Sequence, residues 1–140
     1  MANAVAFKLI TPVAVKFDGE AEIVIATGTE GEIGVLANHA PYLTALKPGV
    51  LRADVRDASG ARRLELATSE GFLQALPDRV TILVDAAMTR DEVDVTKARD
   101  DLQTATDRQR QAGSSDLEAW RREQAAIDFA TARLRVSGQT

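Results

Sequence analysis

Hydrophobic and polar residues alternate along the chain as far as about Met88, and beyond it the period changes. Val5, Phe7 and Leu9 alternate with small or charged neighbours, and Ile10 and Val13 then surround Pro12. That spacing predicts a strand over 5–15 interrupted by its proline. Phe17-Asp18-Gly19-Glu20 predicts a hairpin turn, because Asp-Gly accepts the positive φ of a two-residue loop. Ala21 to Ala26 carries the β-branched run Ile23-Val24-Ile25, too short and too branched for a helix. Val50, Arg52 and Asp54 alternate with Leu51, Ala53 and Val55, and Asp57-Ala58-Ser59-Gly60 then turns the chain. Over Arg63 to Ala67, Leu64 and Leu66 are expected inside, with Arg63 and Glu65 in water. Turns at Ser69-Glu70-Gly71 and Pro77-Asp78 bracket Phe72 to Leu76, and Arg79 to Asp85 is the last long strand. Short alternating segments with evenly spaced turns predict an antiparallel β-sandwich, or flattened barrel, over residues 1–88.

From Asp91 the spacing is helical. Val95, Ala98, Leu102 and Ala105 form one stripe, and Trp120, Ile127, Ala130 and Leu134 form a second. Thr89 with Glu92, and Ser115 with Glu118, have the spacing of capping boxes. Asp91, Glu92 and Asp94 are expected to load the first turn with the charge a helix N-terminus favours. Gly113 separates the two helices, so residues 89–140 are expected to fold as an antiparallel helical hairpin. The helical half relies heavily on alanine, which gains little from burial compared with leucine or isoleucine. The hairpin should therefore hold to the sandwich weakly and be able to swing about Ala86 to Arg90.

Composition narrows the chemistry. The chain has 140 residues, no cysteine, one histidine and a net charge of −4. Disulfides, thiol catalysis, zinc–thiolate sites and a His-rich metal site are thus excluded, so no metal is expected. An acidic balance argues against nucleic acid as a partner. Met1 to Lys8 has neither the basic region nor the apolar stretch of a signal peptide, and no run approaches a membrane span, so a soluble protein is expected. There is no P-loop, and Gly28, Gly31 and Gly34 lack dinucleotide-fingerprint spacing. His39, beside Pro41, has no serine in a suitable motif, so no catalytic residue is expected. Asp100-Asp101 reads as a solvated helix face. Read from the residues, what remains is partner surface. Glu30 and Glu32 would point the same way if the backbone there were extended. Two rivals also fit the pattern: an all-β ligand-binding module with a helical oligomerisation tail, and a small hydrolase using His39.

The stretch Thr27 to Arg52, with glycines at Gly28, Gly31 and Gly34 and prolines at Pro41 and Pro48, packs specified turns around short strands. Within it, EGEIGVLANHAPYLTALKPG closely resembles the signature of the epsilon subunit of bacterial F-type ATP synthases. The match continues through Gly49-Val50-Leu51-Arg52, the turn Ser69-Glu70-Gly71-Phe72 and Arg79-Val80-Thr81-Ile82-Leu83-Val84-Asp85, and ends in helices closing on Arg133-Leu134-Arg135-Val136.

The resemblance implies a non-catalytic central-stalk subunit that couples proton-driven rotation of the c-ring and gamma to ATP synthesis. Its place would be peripheral, on the cytoplasmic face of the bacterial inner membrane. Glu30, Gly31, Glu32, Ile33 and Gly34 would rest on polar loops of the c-ring, acid meeting base. Thr11, His39, Ala40, Pro41 and Thr44 would pack on the gamma subunit, although His39 could simply cap its own turn. The hairpin would lie folded on the sandwich, or extend to the alpha and beta subunits and resist hydrolysis through Arg121, Arg122, Arg133 and Arg135. Asp116, Glu118, Glu123 and Asp128 are interleaved with those arginines, as on an ordinary solvated helix with pairs such as Glu118–Arg122. No cofactor is implied except a regulatory ATP on the hairpin, at Asp94, Lys97, Ala98 and Arg133. Lys97 there replaces an arginine and loses its planar fork for phosphate, and Phe129 occupies the place of a second.

Overall fold

A computed structural model describes residues 3–139; Met1, Ala2 and Thr140, the ends of the two expected segments, lie outside the described residues. Nine strands are followed by two helices: β1 (Val5–Ile10), β2 (Val15–Gly28), β3 (Gly31–Val35), β4 (Tyr42–Leu46), β5 (Gly49–Asp57), β6 (Gly60–Thr68), β7 (Gly71–Leu76), β8 (Arg79–Val84), β9 (Ala87–Met88), α1 (Val95–Ala112) and α2 (Leu117–Val136). A single 3₁₀ turn at Arg90–Glu92 joins β9 to α1.

One layer runs β1-β8-β7-β4 and the other β3-β2-β5-β6-β9. The 14-residue strand β2 belongs to both, because its first half pairs with β1 and its last residue meets β4 through Gly28 and Leu46. A register shift between Ala21 and Ile23 helps it bend from one layer to the other. The sheet thus curls into the expected sandwich-like flattened barrel, with one departure from all-antiparallel pairing: β1 and β8 run parallel. Alternation puts Phe7, Leu9, Leu51, Leu66, Leu73 and Ile82 fully inside, with Leu64 also buried. These side chains fill the space a ligand-binding barrel would keep open.

Two expected turns fall elsewhere. Phe17-Asp18-Gly19-Glu20 is not a hairpin but lies within β2, opposite β1. The chain reverses earlier, at Thr11–Ala14, where the Thr11 and Ala14 backbones bond each other and the Thr11 hydroxyl closes the loop. Gly19 is used for space rather than for positive φ: any side chain there would strike the Phe17 ring and the Arg56 carbonyl. On the hairpin, Ser115 and Glu118 form no capping box. Asp116 is the N-cap, accepting from the Ala119 N–H, and the Ser115 hydroxyl bonds back to Ala112. The Thr89–Glu92 box does form, but it caps the 3₁₀ turn; α1 starts only at Val95, with Asp94 as its N-cap and no acid in its first turn. Gly113 ends α1 with φ 59°.

The hairpin lies folded, with α1 on α2 and α2 against β5 and β6. Ala67, Ala132 and Val136 form the small apolar patch under α2, with Val50 and Phe129 at its margin, separate from the large core between the sheet layers. Lys16 of β2 adds a clip to Glu92 at 2.7 Å. That hydrogen bond and the Thr89 N–H hold the Glu92 carboxyl below its usual range.

Asp100 is exposed as expected, but Asp101 is only half-exposed and turned toward α2. It accepts from Arg133 at 2.9 Å, and Arg133 is only 6% exposed with its guanidinium over the Phe129 ring. Glu123, too, is largely covered rather than solvated, and among the described residues no Glu118–Arg122 pair forms. Trp120 lies partly exposed near the tip, off the buried stripe.

Burial alone would raise the Asp101 pKa, but hydrogen bonds from Arg133 and Lys97 outweigh it and hold the pKa below 3.8. A depressed carboxylate contributes stability above its unfolded pKa and loses it as pH falls through the folded value. The helix–helix contact should therefore hold steady at neutral pH and weaken progressively below about pH 4. Asp101→Asn should remove that acid limb and cost about 1–2 kcal/mol, less than a fully buried pair because Asp101 is partly exposed. Acid titration of hairpin amide exchange checks both.

Candidate functional site

The β2–β3 connection is a two-residue loop, Thr29–Glu30, closed by the pairing of Gly28 with Gly31. Gly31 has φ 131°, a conformation L side chains rarely adopt. The backbone at Glu30 is therefore turned rather than extended, and Glu30 and Glu32 do not form the side-by-side pair expected of a straight segment. Glu30 stands exposed at the loop tip, while Glu32, on β3, is bonded by Arg52 reaching across β2. Gly34 is open on its strand, and Ile33 is half-buried against the core.

His39 and Ala40 follow a turn in which Asn38 takes φ 66° and its N–H bonds to Pro77. Asparagine tolerates this left-handed geometry. His39 Nδ1 lies 2.6 Å from the Ala40 carbonyl, so with that nitrogen protonated the ring closes its own turn. Its ring is tilted beside Tyr42. Ala40 and Pro41 are exposed. Thr44 lies half-buried on the inner side of β4, opposite the buried Leu73. Thr11 is buried with its hydroxyl spent on the Ala14 turn, which leaves Val13, 93% exposed, as the residue that turn presents.

The outer face of the β1-β8-β7-β4 layer carries what sequence reasoning passed over. The strand registers align Ile10 with Leu83, Leu83 with Phe72, and Phe72 with Ala45. Phe72 is 57% exposed and Leu83 51%, and Leu43 stands one row away at 69%. Alternation does carry the signal: with Leu73, Ala75, Val80 and Ile82 inside, Phe72 and Leu83 must point out. A contiguous apolar row outside a sheet whose inner side is already a packed core marks a surface that something else covers.

On the hairpin, Asp94 is engaged as the α1 cap, Lys97 reaches Asp101 at 3.3 Å, Ala98 is buried in the helix contact, and Arg133 is committed to Asp101. Lys97 and Arg133 thus meet at one carboxylate, Asp101. Arg121 and Arg122 are exposed on α2, and Arg135 lines a cleft of about 980 Å³ between α2 and β5 together with Arg52 and Glu65. Among the described residues no group of His, Cys, Asp or Glu has metal-site geometry, and no helix is long and apolar enough to cross a membrane.

Residues 4–90 match the family described as ATP synthase, Delta/Epsilon chain, beta-sandwich domain. Across its full length the chain is 37% identical to the ATP synthase epsilon chain of Syntrophobacter fumaroxidans, covering all 140 residues and all of that protein. It is 41% identical over 131 residues to the epsilon chain of Moorella thermoacetica, covering 94% of each. Among solved structures, a chain of the Euglena gracilis mitochondrial ATP synthase superposes with a TM-score of 0.73 at 21% identity, over 96% of this chain and 81% of that one. A chain from the Tetrahymena thermophila mitochondrial ATP synthase central stalk and c-ring gives 0.57 at 19% identity, over 97% and 96%. At those identities the two structures speak to the fold.

Proposed function

This chain belongs to the ATP synthase delta/epsilon chain family, and from that premise we propose that it is the rotor subunit clamping the gamma subunit to the c-ring. It performs no chemistry itself; it transmits rotation driven by proton passage through the c-ring to the catalytic sites of the alpha and beta subunits. The observation that supports this reading best is the exposed apolar row Ile10–Leu83–Phe72–Ala45, a face suited to a protein partner. Gamma would seat there, flanked by the His39-Ala40-Pro41 turn. The exposed loop tip at Glu30 and Gly31 would meet polar, basic loops of the c-ring, contacts that orient more than they bind. Membrane attachment, on the cytoplasmic face, would come through the complex.

The sandwich is the coupling part and the hairpin a brake on hydrolysis. The folded hairpin rests on a small apolar patch, so release is inexpensive, and Arg121 and Arg122 are exposed to meet acidic loops of beta. Ending the chain after Met88 and reconstituting the complex tests both roles. Hydrolysis should rise and ATP synthesis should persist. Unchanged hydrolysis would remove the brake, and lost synthesis would show that the sandwich alone does not couple.

Regulatory ATP on the hairpin would have to displace the Arg133–Asp101 and Lys97–Asp101 bridges, so only millimolar binding is expected. Calorimetry showing neither heat nor a stability change at millimolar ATP rejects the site.

A further inference from the structure

We propose that Glu70 and Asp85, paired across strands at one margin of the exposed apolar row, receive a basic side chain of the gamma subunit and set its register on the sheet. This rests on the reading of that face as the gamma site. Glu70 lies two residues before Phe72 and Asp85 two after Leu83, so both keep the outward parity of the row. Their backbones continue the β7–β8 ladder by one step, the Asp85 N–H donating to the Glu70 carbonyl at 3.2 Å. Both residues are exposed.

Two like charges directly opposite on the same face of a sheet repel each other and weaken the pairing. Lys47 stands on the same face beside Glu70 by register, yet it closes no ion pair with either acid. The two acids, with Lys47 beside them, border a depression of about 560 Å³ that also takes in Phe72, Leu83 and Thr11. Apolar floor and acidic margin therefore belong to one surface, which fits a segment with an apolar side and a lysine or arginine at one end. The apolar row holds such a segment, while the charge pair steers it and fixes which way round it lies.

The test is the association kinetics of the full chain with purified gamma at low and high salt. Glu70→Gln/Asp85→Asn removes both charges, and Glu70→Lys/Asp85→Lys reverses them. The neutral pair should slow association several-fold at low salt and flatten its salt dependence, with the off-rate little changed. Reversal should slow association on the order of tenfold. Thermal stability of the free neutral variant should stay level or rise as the repulsion is lifted, which separates lost steering from a damaged fold. Association rates equal to those of the unaltered chain at both salt concentrations, or faster, overturn the proposal and leave gamma docking intact. Failure of the unaltered chain to bind gamma overturns the docking reading and this inference with it.

Discussion

Replacing Phe72 by aspartate is expected to abolish stable association with the gamma subunit while leaving the sandwich folded. Phe72 is more than half exposed in the free chain, so the substitution removes little internal packing. In the proposed complex the same ring lies at the centre of the buried row. Large aromatic residues in such positions dominate binding, and truncating one typically costs 2 kcal/mol or more. Aspartate adds the cost of burying an unpaired carboxylate, and it does so beside Glu70 and Asp85. Affinity should fall by at least roughly 100-fold, while the melting temperature should move by only a few degrees. Titration calorimetry or surface binding against gamma reads the first, and thermal unfolding the second. Binding within threefold of the unaltered chain would place the gamma contact elsewhere.

Gly71→Ala, one residue away, should do the opposite: it should destabilise the layer rather than blunt its surface. A Cβ at Gly71 would run into the Leu83 carbonyl oxygen and crowd the Val84 backbone. Both are main-chain atoms of the paired strand, so no side-chain rotation relieves the collision. β7 and β8 would have to separate where Phe72 and Leu83 are presented. Such overpacking costs about 3 kcal/mol, which for a domain of this size lowers the melting temperature by roughly 10 °C. A melting temperature within a few degrees of the unaltered chain would show that the strands can part without penalty.

Strand alternation made the barrel readable because each strand has one buried face: Leu64 and Leu66, or Leu73 and Ala75, announce their side through period two alone. Turn placement was less legible. Asp18-Gly19 carries a strong turn signal, yet Gly19 is there to make room for the Phe17 ring, a requirement set by tertiary packing. The outward apolar row was implicit in the same alternation, but it takes three registers, β1–β8, β8–β7 and β7–β4, to show that four residues from distant segments stand side by side. The Arg133–Asp101 bridge depends on the rotation of one helix against the other, which two amphipathic stripes rich in alanine leave open. Residue identity showed where charge lies, and assembly decided which charges are already spent: Glu32 on Arg52, Arg133 on Asp101, Glu92 on Lys16.

In the proposed assembly a rigid sheet body docks through the outer face of its β1-β8-β7-β4 layer while the hairpin stays loosely held. Amide hydrogen exchange of the full chain, with and without bound gamma, reads both halves at once. Gamma should protect β4 and the margins of β7 and β8 around Phe72 and Leu83, leave β5 and β6 unchanged, and find the hairpin amides already exchanging faster than the sheet core. Protection confined to α1 and α2, or hairpin amides as slow as Leu66 and Leu73 in the free chain, would contradict it.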